Sequence, residues 1–358
     1  MALAWTDIAI VSTDGGPDVD YTSMVTFESD YDGVATINGE TLTAKVRGAV
    51  AHRQYWAGWQ AGMDADTRIL ITYTDGNQAT GPNMAGDKAV ITNDTSRRIE
   101  EATNPIVIDF VGVELRGDGG DIGIYFRPTQ AGSELKLINC VMDSQGDGIY
   151  IIGIGDVYIG GTLFVDCGNG SYHHEAVQIV DADCTLSMTQ CTIYDALGDG
   201  VYQTAGTCLV ENTAVAQCTP DFSGTITENN TLSEDDGDIV NTAGVDWTNA
   251  PNWDFTVADS DSKLYQAGKA QPSWYTDWTS TDMAGTTWND TPSVGCYELA
   301  GGEPPAGDTR GGGSRAPVFI NSAIIGCLWP VMGFVHKLIK NPTWSKREWL
   351  KRLLRLFY

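Results

Sequence analysis

The chain has 358 residues, 41 of them glycine, and a formal net charge of −26 at pH 7. That length supports one large domain or two ordinary ones with a sizeable core. The charge is lopsided: residues 301–358 hold 9 of the 21 Lys and Arg but only 3 of the 47 Asp and Glu, and no Lys or Arg occurs from Leu137 to Ser262. A body this acidic repels polyanions, which argues against a nucleic-acid partner and suits cations, neutral or basic glycans, or a salty medium.

In chain order, "MALAWTDIAIVSTDGG" has neither a basic n-region nor a long apolar core, so no secretory signal is expected. Release of the chain would then follow another route, such as a virion freed by lysis. Residues 1–60 read as an N-terminal cap with the first strands. The region 61–300 is built on a repeat. Its turn column is "GIYF" at Gly123, "GIYI" at Gly148, "AVQI" at Ala176 and "GVYQ" at Gly200. A second column runs through Cys140, Cys167, Cys191 and Cys218, and a third pairs Cys184 with Cys208. Between the turns lie short alternating runs such as "ELKLINC" and "CTLSMTQC", rich in Val, Ile, Leu and Thr. A turn of about 25 residues cannot bury its apolar side alone, but stacked turns close a continuous core. The expected fold is all-β, a right-handed parallel β-helix. Its cysteines are expected as inward stacked thiols rather than disulfides, eight being too few for a disulfide scaffold.

On these residues the chain resembles the right-handed β-helix repeat proteins of the pectate-lyase-like superfamily found in phages and environmental bacteria. "DYTSMVTFESDYDGVAT" at 20–36 is similar to the short helical cap that often precedes such a helix. "SKLYQAGKA" and "TDMAGTTWNDTPSVGCYEL" within 262–299 resemble the family's closing segment, with Cys296 where a small residue is usual. The likeness implies fold more than activity, because the architecture serves lyases, glycosidases, virion tailspikes and inert adhesins alike. Solenoid ends need covering, and residues 245–290, with Trp247, Trp253, Trp274, Trp278 and Trp288, are expected to cover the C-terminal one.

Three acids, Asp147, Glu175 and Asp199, precede the turn column, with Asp121 one residue out of step. Asp-Gly commonly does no more than make a turn. Carboxylates on adjacent or alternate rungs also match retaining or inverting glycosidases, and clustered oxygens could hold Ca2+. One residue past the apolar position stand Tyr125, Tyr150, Gln178 and Tyr202. These side chains are expected to face out, either stabilising the sheet or offering a platform for sugar rings. His173 and His174 adjoin Glu175 in "SYHHEAV" and read as a surface loop, with acid–base or metal chemistry as the alternative. "SEDDGDI" places Asp235, Asp236 and Asp238 together, a cation-loop composition without EF-hand spacing. A lyase mechanism needs a basic side chain, and the central rungs hold no Lys or Arg.

After the Gly/Pro linker 301–315 comes a different sequence. "APVFINSAIIGCLWPVMGFV" at 316–335 contains Trp329 and no charge, and its length matches a bilayer core. Behind it, Trp344 and Trp349 lie on one side of a helical pattern whose other faces carry Lys351, Arg352 and Arg355. Residues 316–358 therefore read as a membrane anchor or a protein-docking foot. The functional expectation is a surface-displayed structural or adhesive rod, a virion component meeting glycan or a host surface, with trimerisation open. The alternative is a tailspike-type glycoside hydrolase. No cofactor is expected beyond a candidate Ca2+.

Overall fold

The computed structural model describes residues 8–31, 40–51, 67–74, 76–81, 88–92, 97–100, 104–117, 122–143, 145–168, 174–234, 237, 239–240, 247–250, 254–258 and 262–299. The expectations for His173, for Asp235, Asp236 and Asp238, and for the linker and tail 301–358 lie outside the described residues.

The fold is all-β, with long stacked parallel sheets consistent with a solenoid. The first sheet runs Ile8–Ser12, Thr41–Arg47, Arg68–Tyr73, Val107–Val111, Glu134–Ile138, Gly155–Gly160, Cys184–Thr189, Thr207–Glu211, Thr227–Asn229. The second runs Ala49–Ala51, Val90–Thr92, Glu114–Arg116, Val141–Asp143, Leu163–Val165, Thr192–Tyr194, Ala214–Ala216, Leu232–Ser233, Ile239–Val240. The third runs Arg97–Ile99, Ile124–Phe126, Ile149–Ile151, Val177–Ile179, Val201–Gln203, Phe222–Ser223. From Arg68 to Ser223 the chain visits the three sheets in that order, rung after rung.

The corners explain why short strands suffice. Between the first and second sheets one residue per rung takes the left-handed conformation: Gly112, Asn139, Gly161, Gln190, Asn212 and Asn230, with φ between 48° and 65°. After the second sheet Asp166, Asp195 and Gln217 do the same. Gly and Asn tolerate this region best, so a single residue redirects the strand without a loop. Inside, the column Ile124, Ile149, Val177, Val201 and Phe222 is paired in register and buried. At its start stands Arg97, fully buried, whose guanidinium donates to the carbonyls of Gly123, Ile91 and Arg116. Burial lowers its pKa to about 9.

The turn column of the sequence is exact in space, with Ile124, Ile149, Val177 and Val201 pairing in register. The cysteine columns are not. Cys140 and Cys191 follow the left-handed residues Asn139 and Gln190 of one corner, with Thr162 on the rung between. Cys167 and Cys218 follow Asp166 and Gln217 of the next corner. Cys184 pairs with Gly155, and Cys208 with Leu186, so those two are also out of step. Two corners with similar strand-then-Cys endings had merged into one apparent column. The seven described cysteines are free thiols, and burial pushes the Cys140 and Cys191 thiols up to about 12.

Helix Met24–Tyr31 covers the N-terminal end, burying Met24, Phe27 and Tyr31 completely. Ser23 caps it by accepting the Thr26 amide at 3.2 Å. The C-terminal segment behaves differently from expectation: its described residues clad the flank of the solenoid. Phe255, Met283, Cys296 and Tyr297 pack on the outer side chains Val141, Leu163 and Val165. The outer side chains Val141, Leu163 and Val165 of the second sheet are thereby buried as fully as its inner ones, Met142 and Phe164. The segment is fixed along the first corner. Asn139 accepts from the Tyr275 hydroxyl (2.9 Å) and donates to Thr281 (3.3 Å), Gln190 donates to Ser293 (2.7 Å), Asn212 donates to Lys269 (3.0 Å), and Asn230 donates to Ala267 (2.6 Å). The corner residues thus do double duty, turning one chain segment and holding another.

Candidate functional site

The third sheet carries the candidate site. Backbone bonds from Gly123 to Asp147 (2.7 Å), Gly148 to Glu175 (3.2 Å) and Ala176 to Asp199 (3.0 Å) put the three acids in one column on successive rungs. Rungs stand about 4.8 Å apart. Their environments differ sharply. Asp147 is 1 % exposed and neither carboxyl oxygen has a hydrogen-bond partner. Burial first, and the charge of Glu175 second, push its pKa up to about 8, so at neutral pH it is mainly the protonated acid. Glu175 is half-buried and accepts the His174 amide at 2.8 Å. Asp199 is half-buried as well; burial and Glu175 raise its pKa, against a hydrogen bond with Ser223.

The neighbouring column reads Arg98, Tyr125, Tyr150, Gln178, Tyr202 and Ser223, paired in register on the outer side of the sheet. The Tyr125 and Tyr150 rings stack at 5.4 Å and 10°, and the Arg98 guanidinium lies 5.4 Å from the Tyr125 centroid. All three tyrosines remain half-buried. Gln178 is 5 % exposed, and its Oε1 has no hydrogen-bond partner. The two columns feel each other: burial, then Tyr125, Asp147 and Glu175, raise the Tyr150 pKa. Asp199 bonds to Ser223 of the outward row, and Asp147 and Glu175 act on Tyr150, so the acids sit beside the rings although regular strand alternation would send residues three apart to opposite faces.

His174 is exposed, and its Nδ1 lies 2.8 Å from the Gly168 carbonyl, which holds the ring to local backbone. Among the described residues, no group of three or more His, Cys, Asp or Glu is placed to hold a metal ion. Among the same residues, no helix is long and apolar enough to cross a membrane.

Sequence reasoning passed over a second charged cluster, on the outer face of the first sheet. Asp109 is fully buried and pairs with Arg68 at 3.0 Å. Burial pushes its pKa up to about 6, opposed mainly by Arg68 and Lys136. Lys136 pairs with Glu134 and lies 5.2 Å from the Tyr158 ring, while Trp278 of the C-terminal segment covers both cations at 5.8 and 6.0 Å. The only local signal was a lone acid inside the apolar run "VIDFV"; its partners come from four distant places in the chain. Comparison of the chain with protein-family models, with curated proteins and with solved structures finds no match in any of the three.

Proposed function

We propose that the chain is a right-handed parallel β-helix of the pectate-lyase-like type that binds glycan along its third sheet and acts as an adhesive or structural rod. The observation that carries this reading is the in-register row Tyr125, Tyr150 and Tyr202, with the first two rings stacked and flat. Aromatic faces of this kind pack against the C–H faces of sugar rings. The basic, apolar sequence of 316–358 supplies a foot for a virion or a membrane, and the acidic rod would be displayed from it. Trimerisation fits such a rod as a further proposal.

A second reading, a retaining glycoside hydrolase, draws on one specific feature. A protonated Asp147 stands one rung from Glu175, near the ~5 Å separation of an acid and nucleophile pair. Against it, an acid with 1 % exposure has no path to a glycosidic oxygen. The test is to incubate the full chain with a panel of polysaccharides and measure both binding and reducing-end release. Binding without release, lost on Tyr150→Ala and Tyr202→Ala, is the expected result. Release abolished by Asp147→Asn and Glu175→Gln would replace the adhesive reading with the hydrolase, and absence of binding would overturn the glycan reading itself.

A further inference from the structure

We propose that the rungs of Tyr150, Gln178 and Tyr202 form a subsite for an amino sugar with a free amine, so that the ligand is a linear polymer of de-N-acetylated hexosamine. This rests on the glycan reading above and narrows it to one chemical class.

The site carries carboxylates but no positive charge from its own stretch of chain. In the outward row between Tyr150 and Tyr202, the Oε1 of Gln178 lacks a partner although the residue is 5 % exposed. Buried acceptors are ordinarily satisfied, and leaving this one bare costs free energy that a ligand donor would recover. Glu175 and Asp199, in register with Asp147 and half-buried, carry the column to solvent. Their own stretch of chain has no Lys or Arg to offer them: none occurs from 137 to 262, where 20 Asp and Glu lie, and the His174 ring is engaged with the Gly168 carbonyl.

The chemistry of the missing partner follows. A uronate or sulfated sugar would add negative charge to a column whose members already raise one another's pKa. A neutral sugar hydroxyl donates a hydrogen bond but brings no charge. An ammonium brings both, in charge-assisted bonds to carboxylates. The flanking rings of Tyr150 and Tyr202 would hold the pyranose face while the amine meets Glu175, Gln178 and Asp199. At the opposite end of the row, Arg98 covers Tyr125 and Arg127 stands 3.9 Å from Glu100. Those cations bound the subsite to the three upper rungs.

The deciding experiment titrates the full chain calorimetrically with four soluble probes: a glucosamine oligomer, its N-acetylated counterpart, a β-glucan oligomer and oligolysine. The glucosamine oligomer is expected to bind about tenfold or more tightly than either neutral sugar, the loss of roughly one charge-assisted bond. Glu175→Gln, a half-buried isosteric change whose folding is checked by circular dichroism, is expected to erase that preference while glucan binding stays. Gln178→Leu should weaken the glucosamine oligomer in the same way. Equal binding of the three sugars would overturn the amine inference and leave the glycan reading standing. Binding of oligolysine as tight as that of the glucosamine oligomer would reduce the effect to attraction between polyions and overturn it too. No binding of any sugar would remove the glycan reading on which it rests.

Discussion

Asp147 ties its burial to pH. Its pKa in the fold, about 8, stands far above the ~3.9 of an exposed aspartate, so the native chain keeps a proton that the unfolded chain gives up. The stability linked to this group is therefore complete in acid and is lost as pH climbs through the folded value, where the buried carboxylate must carry charge. Asp109 follows the same sign in a lower window, ending near its value of about 6. Between roughly pH 6 and pH 8 the Asp147 contribution dominates, and linkage puts the loss at about 2 kcal/mol. Urea unfolding midpoints of the full chain should fall across that window, and those of Asp147→Asn should stay nearly flat. A wild-type midpoint that rises with pH would show Asp147 to be ionised in the fold.

At the scale of elements, the flank segment and the corner residues stabilise each other. Gly160 lies under the Tyr275 ring, and a Cβ there would collide with it. Tyr275 is fully buried and donates to Asn139. Gly160→Val should therefore evict Tyr275, and losing a buried aromatic of this size costs about 3–5 kcal/mol. Limited proteolysis is the suitable probe: cleavage within 262–299 should accelerate strongly while the rungs 122–233 stay protected. Equal acceleration in both would mean that the segment and the solenoid unfold as one unit. None of this coupling was legible in the sequence, since Asn212 and Lys269, or Asn139 and Tyr275, share no local pattern. What was legible has local causes. Gly123, Gly148, Ala176 and Gly200 recur because the chain there runs close under the carbonyl of the next rung, where a side chain at Gly123, Gly148 or Gly200 would collide, and the tyrosines follow from strand alternation. The cysteine columns misled because two different corners place a small buried residue just after a left-handed one. The acids of the site were visible as a column, but their unequal burial was not, because the motif before each turn is alike.

For the whole molecule, charge sets a condition on stability that no single contact conveys. Among the described residues, the ion pairs gather in the N-terminal part of the solenoid, at Arg47, Arg68, Arg116, Arg127 and Lys136. From 137 to 262 the chain has 20 acids and no Lys or Arg, and among the described residues the cation that does reach one of them is Arg116, 3.7 Å from Asp143. Folding brings carboxylates such as Asp147, Glu175 and Asp199 onto rungs about 4.8 Å apart, whereas the unfolded chain spreads them out, so repulsion favours unfolding. Added salt opposes itself in such a protein: it weakens exposed ion pairs, each worth about 0–1 kcal/mol, and it screens the acid–acid repulsion. Repulsion has many more members here, so screening should win. Raising NaCl from about 10 mM to about 150 mM shortens the screening length from roughly 30 Å to roughly 8 Å, and the unfolding midpoint should rise over that range. A falling midpoint would mean that the few ion pairs of the N-terminal half outweigh the acidic body. The same screening should weaken a glucosamine oligomer at Glu175 and Asp199 more than a β-glucan. Salt would then stabilise the rod while loosening its amine ligand, two opposite responses that arise from one set of carboxylates.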